Sequence, residues 1–156
     1  MSVASARQDE VVAGNVYPKY TTRNPLARLL VANSQTTCAS WSGKTGARQV
    51  HEVGCGEGFL ARLLATDGCE VRGSDLSPAT IAAAPRRSAD ITPPIAFQVA
   101  NLYRLDPGRD TAELILCCEV LEHLPDPSRA LDVLAPVSDR KRTQGTPLAH
   151  SEPHPR

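Results

Sequence analysis

Three groups of residues carry the types and spacing that chemistry requires. The first is Glu-Val-Gly-Cys-Gly-Glu-Gly over 52–58, in which Gly54, Gly56 and Gly58 form a GxGxG between an apolar run and a helical pattern. Glycines at a strand-to-helix turn let backbone approach a nucleotide ligand closely and leave the first helical N–H groups facing it. The second is Asp75, at the end of a second apolar run, where a carboxylate can accept both hydroxyls of a ribose. It follows the glycine turn at about the ~20-residue spacing of nucleotide sites. The third is Glu119, Glu122 and His123, whose i, i+3, i+4 spacing would align them on one face of a helical turn.

Spacing and charge narrow the ligand. The dinucleotide fingerprint requires a glycine where this chain has Phe59. A pyrophosphate at the helix N-terminus would be repelled by a carboxylate in the same loop, and Glu57 is there. Together with Glu52 it suits a ligand with an ammonium and a sulfonium and no phosphate, which describes S-adenosylmethionine. The alternative is that Glu57 points to water and Glu52 pairs with a local basic group. Leu76 is placed to lie against the adenine, and Asn101 to accept from its amino group through the side-chain oxygen. Asp75 as a helix cap and Asn101 as a turn residue are the alternatives.

These residues need a scaffold, and the hydrophobic pattern supplies one. Strands are predicted at Gln49–Val53, Cys69–Ser74, Ile95–Val99 and Ala112–Cys117, the last a nearly continuous apolar run suited to burial on both faces. Between them the pattern predicts a helix at Gly58–Thr66 with Phe59, Leu60, Leu63 and Leu64 on one side, then a turn at Asp67 and Gly68. A second helix is capped by Ser77 and ended or kinked by Pro85. A helical turn at Glu119–Leu124 and a helix at Ser128–Leu134, capped by Asp126 and Pro127, complete the series. Upstream, Asn24–Asn33 reads as an amphipathic helix, and Ser34–Arg48 as a loop anchored by Trp41. Alternation of strands and helices implies an α/β fold, a doubly wound, mainly parallel sheet with its ligand at the carboxyl ends of the strands.

Composition bounds the function classes. The chain has 156 residues, 41% hydrophobic, with 17 basic and 17 acidic residues, enough for one domain with a core. Zero net charge and 4% aromatics argue against a nucleic-acid partner and for a small-molecule substrate. No apolar stretch predicts a membrane span or signal peptide, and the five cysteines form no CxxC pair, which points to a cytoplasmic protein.

Glu-Val-Gly-Cys-Gly-Glu-Gly, Gly-Ser-Asp-Leu-Ser and Cys-Cys-Glu-Val-Leu-Glu-His-Leu-Pro-Asp-Pro resemble the successive motifs of class I S-adenosylmethionine-dependent methyltransferases, over residues 17–135. The resemblance implies a Rossmann-like methyltransferase topology. It also implies a cofactor site of Glu52, Gly54, Cys55, Gly56, Gly58, Asp75, Leu76 and Asn101, with further contact near Cys117 and Cys118. Tyr17, Lys19, Tyr20 and Arg23 resemble the segment that covers the cofactor in such enzymes. The ExxEH of Glu119, Glu122 and His123 is similar to the metal-binding segment of the catechol O-methyltransferases of quinone biosynthesis and of the small-RNA 2′-O-methyltransferases. A divalent ion there would orient and acidify a substrate hydroxyl; the alternative is a salt-bridged turn, and the sequence offers no clear fourth ligand. His123 is also the candidate general base.

The expected organisation is a flexible N-terminus (1–16), a methyltransferase domain (17–135) and a disordered or aberrant tail from Pro136. The tail lacks the apolar pattern of the family's last strands, so the sheet is expected to be incomplete, with its fourth strand an exposed edge that a homodimer would cover. The expected function is O- or N-methylation of a small metabolite. An inactive remnant or binding module, and an NAD-binding Rossmann protein, are the competing readings.

Overall fold

The computed structural model describes residues 42–139 together with Thr37 and Ser40. The expected helix Asn24–Asn33, Trp41 and the covering residues Tyr17, Lys19, Tyr20 and Arg23 lie outside the described residues. Residues 42–45 are helical, where Ser, Thr and Gly content predicts a loop. Local hydroxyl bonds explain it: Thr45 Oγ1 donates to the Ser42 carbonyl at 3.3 Å and accepts from Ala47 N at 3.3 Å.

Strand β1 (Gln49–Val53) leads through the glycine turn into α1 (Phe59–Thr66), and β2 (Glu70–Asp75) leads into α2 (Pro78–Arg87). Then come β3 (Ala96–Val99), a 3-10 turn at Leu102–Arg104, β4 (Leu114–Leu116), a second 3-10 turn at Leu121–His123, and α3 (Pro127–Val137). The four strands form one sheet in the order β3-β2-β1-β4, parallel throughout. This is the doubly wound architecture expected, with β1 central and its glycine turn at the carboxyl end.

Alternation along the strands sends side chains to two apolar clusters. Val50, Val71, Leu114 and Leu116 pack with Leu60, Ala61 and Leu64 of α1. Val53 and Ile115 pack with Leu102, Tyr103 and Leu105 and with Ala130, Leu134 and Val137 of α3. Strand β4 therefore contacts apolar side chains on both faces, as its sequence predicts. On α1 the buried residues are Leu60, Ala61 and Leu64, whereas Leu63 is 37% exposed. The buried stripe is centred one position away from the expected set, on the small Ala61.

Caps follow the sequence. Ser77 Oγ accepts from Thr80 N at 3.3 Å, and Asp126 Oδ1 accepts from Arg129 N at 2.9 Å. Helix α1 closes at Gly68, whose φ of 87° only glycine adopts without strain. Two helices extend past their expected boundaries, Pro85 (an end or a kink) and Leu134. Helix α2 runs through Pro85 to Arg87, because a proline in the last turn forfeits one backbone bond, and Ser88 Oγ donates to the Ala84 carbonyl at 3.3 Å. Helix α3 runs through Pro136 to Val137, which is fully buried. Ser138 then forms a parallel bridge with Ala112, flanked by Ala112 N to Val137 O at 3.0 Å and Asp139 N to Ala112 O at 2.9 Å. The first residues of the expected tail thus belong to the fold.

Candidate active site

The glycine turn is built by backbone. Gly54, Gly56 and Gly58 all have positive φ, at 78°, 56° and 79°, a conformation that side-chain-bearing residues rarely adopt. The Ser74 carbonyl, at the end of β2, accepts from both Gly54 N at 2.7 Å and Cys55 N at 2.9 Å. Asp75 completes the fixation: Oδ2 accepts from Gly56 N at 2.9 Å and Oδ1 from Ser77 N at 2.8 Å. Its capping alternative is thus partly realised, while each oxygen retains a further lone pair for a ligand hydroxyl.

Close packing makes the turn intolerant of side chains at two of the three glycines. A Cβ on Gly54 would lie 2.2 Å from Val120 Cγ2, and one on Gly58 would lie 2.7 Å from Phe97 Cζ. A Cβ on Gly56 would meet nothing within 4 Å, so the middle of the turn faces open space. That opening, bordered by Asp75 and by the buried carboxylate of Glu52 (5% exposed), is a cradle for a ligand needing close backbone approach.

Glu57 does not act as the charge argument expects. Its carboxylate pairs with Arg87 at the end of α2, and that guanidinium also lies 4.6 Å from the Phe59 ring centroid. Glu57 therefore ties the loop to α2, and the acidic character of the cradle rests on Glu52 and Asp75.

The cysteines are packing groups. Burial, with help from the Glu52 and Asp75 charges, pushes the Cys55 thiol far above its ordinary range. Burial and the Glu122 charge push Cys117 up to about 12. Such thiols stay protonated at neutral pH and are poor nucleophiles. Cys117 and Cys118 leave β4 toward opposite faces, one against each apolar cluster.

Asn101 caps the 3-10 turn at Leu102–Arg104, its Oδ1 accepting from Tyr103 N at 2.9 Å, which is the turn role the sequence left open. The adjacent Ala100 N donates to the Asp75 carbonyl at 2.9 Å, so Asn101 stands beside the ribose candidate. Leu76 follows Asp75 directly and is half-buried.

The segment after β4 departs from expectation. Glu119 has φ 55° and precedes a 3-10 turn of only three residues, Leu121–His123. With about three residues per turn and a start beyond Glu119, this element cannot stack Glu119, Glu122 and His123 as an α-helix would. Among the described residues, no three His, Cys, Asp or Glu side chains are placed to share a metal ion. Glu122 and His123 are exposed. Val120, which sequence reasoning did not single out, fills the space beside Gly54.

Sequence reasoning also missed a buried polar group under the turn. His51 is fully buried, its Nδ1 3.0 Å from the Asp110 carbonyl and its Nε2 2.9 Å from Ser74 Oγ. Asp110, also fully buried, accepts from Asp106 N at 2.8 Å, Gln98 Nε2 at 3.2 Å and Arg109 Nη2 at 2.9 Å. Burial pushes its carboxyl up, but these donors outweigh burial and hold it well below the carboxylate range. The available signal was a histidine in an otherwise apolar strand position.

Comparison with known proteins matches this arrangement. Residues 51–138, more than half of the chain, match the family model described as a methyltransferase domain. The ubiquinone biosynthesis O-methyltransferase of Alkalilimnicola ehrlichii is 33% identical over 94 residues, covering 60% of this chain and 38% of that protein. The enzyme of the same name from Coxiella burnetii is 34% identical over 84 residues, covering 54% and 36%. The chain thus spans little more than a third of the length of these curated relatives. Among solved structures, magnesium protoporphyrin IX methyltransferase from Synechocystis with bound S-adenosylmethionine superposes with a TM-score of 0.64 at 23% identity, covering 88% of this chain and 67% of that one. The N-methyltransferase NodS from Bradyrhizobium japonicum, in complex with S-adenosylhomocysteine, gives 0.65 at 23%, covering 86% and 66%. At that identity these two speak for the fold, while the family model speaks for membership. The chain belongs to the methyltransferase-domain family, within the class I, S-adenosylmethionine-dependent methyltransferases.

Proposed function

We propose that this chain binds S-adenosylmethionine at the carboxyl ends of β1 and β2 and methylates an oxygen or nitrogen of a small-molecule acceptor. The observation that carries the reading is the Asp75 carboxylate, which anchors the glycine turn through Gly56 N and keeps lone pairs for a ribose diol. Glu52 supplies negative charge at the end of β1 for an ammonium group, and the open Gly56 backbone admits the ligand's chain. When bound, the cofactor supplies a methyl group activated on a sulfonium. The protein's task is to hold an acceptor in line with that methyl, and positioning alone can supply much of the catalysis. Cys55 and Cys117, held as neutral thiols, line and pack the site without taking the methyl. His123, exposed beside Leu124, is the candidate to receive an acceptor proton. An oxygen acceptor is favoured by the names of the curated relatives, which are O-methyltransferases.

A second reading is a binding module that holds the cofactor without turnover. Calorimetry with S-adenosylmethionine, with NAD as competitor, tests the cofactor, and methyl transfer to catechol and amine panels tests turnover. The expected result is a dissociation constant on the order of micromolar that NAD does not change. Asp75→Ala is expected to weaken binding by about tenfold or more, from the ~1.5–3 kcal/mol of hydrogen bonds to a charged group. Absence of binding by the folded chain would overturn the reading, and binding without turnover on any acceptor would favour the module.

A further inference from the structure

Beneath the glycine turn, Ser74 makes two connections with opposite ends of one residue. Its carbonyl receives Gly54 N and Cys55 N, at 2.7 and 2.9 Å, while its hydroxyl lies 2.9 Å from His51 Nε2. His51 is fixed in turn by the Asp110 carbonyl at 3.0 Å, and Asp110 is clamped by Gln98 of β3, Asp106 N and Arg109. Arg72 of β2 donates to the Arg109 carbonyl at 2.7 Å. A continuous polar chain therefore runs from the loop before β4, across β1, to the residue whose carbonyl shapes the turn.

The distance between Ser74 Oγ and His51 Nε2 is that of a nucleophile and its base. Catalysis by the pair is excluded by access: Ser74 is 1% exposed and His51 is 0% exposed, so no acceptor reaches either. Stability alone is a weak reason for the group, because two apolar residues of matching shape would fill the same strand positions without burying polar atoms. What the polar pair adds is direction. A hydrogen bond between β1 and β2 side chains fixes Ser74 in rotation about its strand, and with it the carbonyl that holds the turn.

We propose that His51 and Ser74 act as a unit that positions the Gly54–Gly58 turn for cofactor, without touching cofactor themselves. The inference rests on reading that turn as the cofactor loop. Breaking the pair frees the Ser74 carbonyl to rotate, loosens both loop N–H bonds and weakens cofactor capture.

The test compares the 156-residue wild-type chain, Ser74→Ala, His51→Leu and the double variant with Val137→Ala, a core truncation on α3 that lowers stability without removing a group of the polar chain. Two readouts are taken: the dissociation constant for S-adenosylmethionine, and amide hydrogen exchange at Gly54 and Cys55. Each single variant is expected to weaken binding by about tenfold, as small misplacements of positioning groups do, and to speed exchange at both amides. The double variant should lose no more than the worse single variant, as partners acting together do. Val137→Ala should change neither readout despite its lower Tm. Unchanged affinity and exchange in Ser74→Ala, or equal changes in Val137→Ala, would overturn the proposal. Should His51→Leu not fold, Ser74→Ala carries the test, since it removes a single oxygen. If the wild type binds no cofactor, the cofactor reading fails, and the exchange data still decide whether the pair positions the turn.

Discussion

The glycine turn is held from two sides by different physics. On the α1 side of the sheet, contact is apolar and tight: Gly58 lies under Phe97, and Gly73 sits between Phe97 and the Cys55 sulfur, with no room for a methyl group. On the opposite side the support is polar, a buried set of His51, Ser74, Asp110 and Gln98 joined by directed bonds. Packing tolerates or rejects by volume, whereas hydrogen bonds respond to geometry and protonation. The same loop should therefore fail in two distinguishable ways.

The largest effect is expected on the packed side. Gly58→Ala places a Cβ 2.7 Å from Phe97 Cζ at a φ of 79°. It should cost about 2–5 kcal/mol, combining ~1–2 kcal/mol for the left-handed backbone with ~1–3 kcal/mol of overpacking. Adding Phe97→Leu should recover the packing share and leave the backbone share; urea denaturation measures both. Full recovery would mean that the backbone conformation is not under strain, and no recovery would mean that the ring is not the obstacle.

A smaller effect is expected from Asp110→Ala on the polar side. It strips partners from the part-buried Asp106 N–H and Gln98 amide, and a typical hydrogen bond is worth about 0.5–1.5 kcal/mol. Arg109, whose side chain is 66% exposed, keeps solvent as a partner and adds little. A loss no larger than that of an exposed substitution would show that the polar side does not bear on stability.

The smallest effect is a pH dependence found on the polar side only. Burial, reinforced by the Arg72 charge and only partly opposed by Asp110, holds His51 below its ordinary value of 6.5. The unfolded chain then binds a proton that the folded one refuses, so stability rises with pH across that window. The contribution of His51 should be complete above pH 6.5 and be lost as pH falls below it. His51→Leu should flatten the acid side of a Tm-against-pH curve between that value and the carboxylate range. An unchanged curve would assign the acid sensitivity to other groups.

Much of the first side was legible because its signals are local. Glycines at fixed offsets, Ser77 before a proline, and the nearly continuous apolar run of β4 are read within a few residues. The polar side was not, because His51 meets an Asp110 carbonyl 59 positions away, and nothing near His51 announces that partner. Glu57 misled for the same reason: its partner Arg87 belongs to the next helix. Pro85 was read as an end or a kink and Pro136 as the first residue of the tail, yet a last-turn proline sacrifices one bond while buried Ala84 and Val137 hold the helices in place. The Glu119–His123 spacing was real, but it presumed an α-helical turn where Leu121–His123 form a tighter one.

The double grip of Asp75 on Gly56 N and Ser77 N bears on speed as well as affinity. A turn already closed onto its carboxylate has little left to rearrange when a ligand arrives, so its ordering entropy is lost during folding and not at binding. Capture should then proceed in a single kinetic phase whose rate is set by encounter, and differences in affinity among cofactor, product and analogues should reside in how slowly each departs.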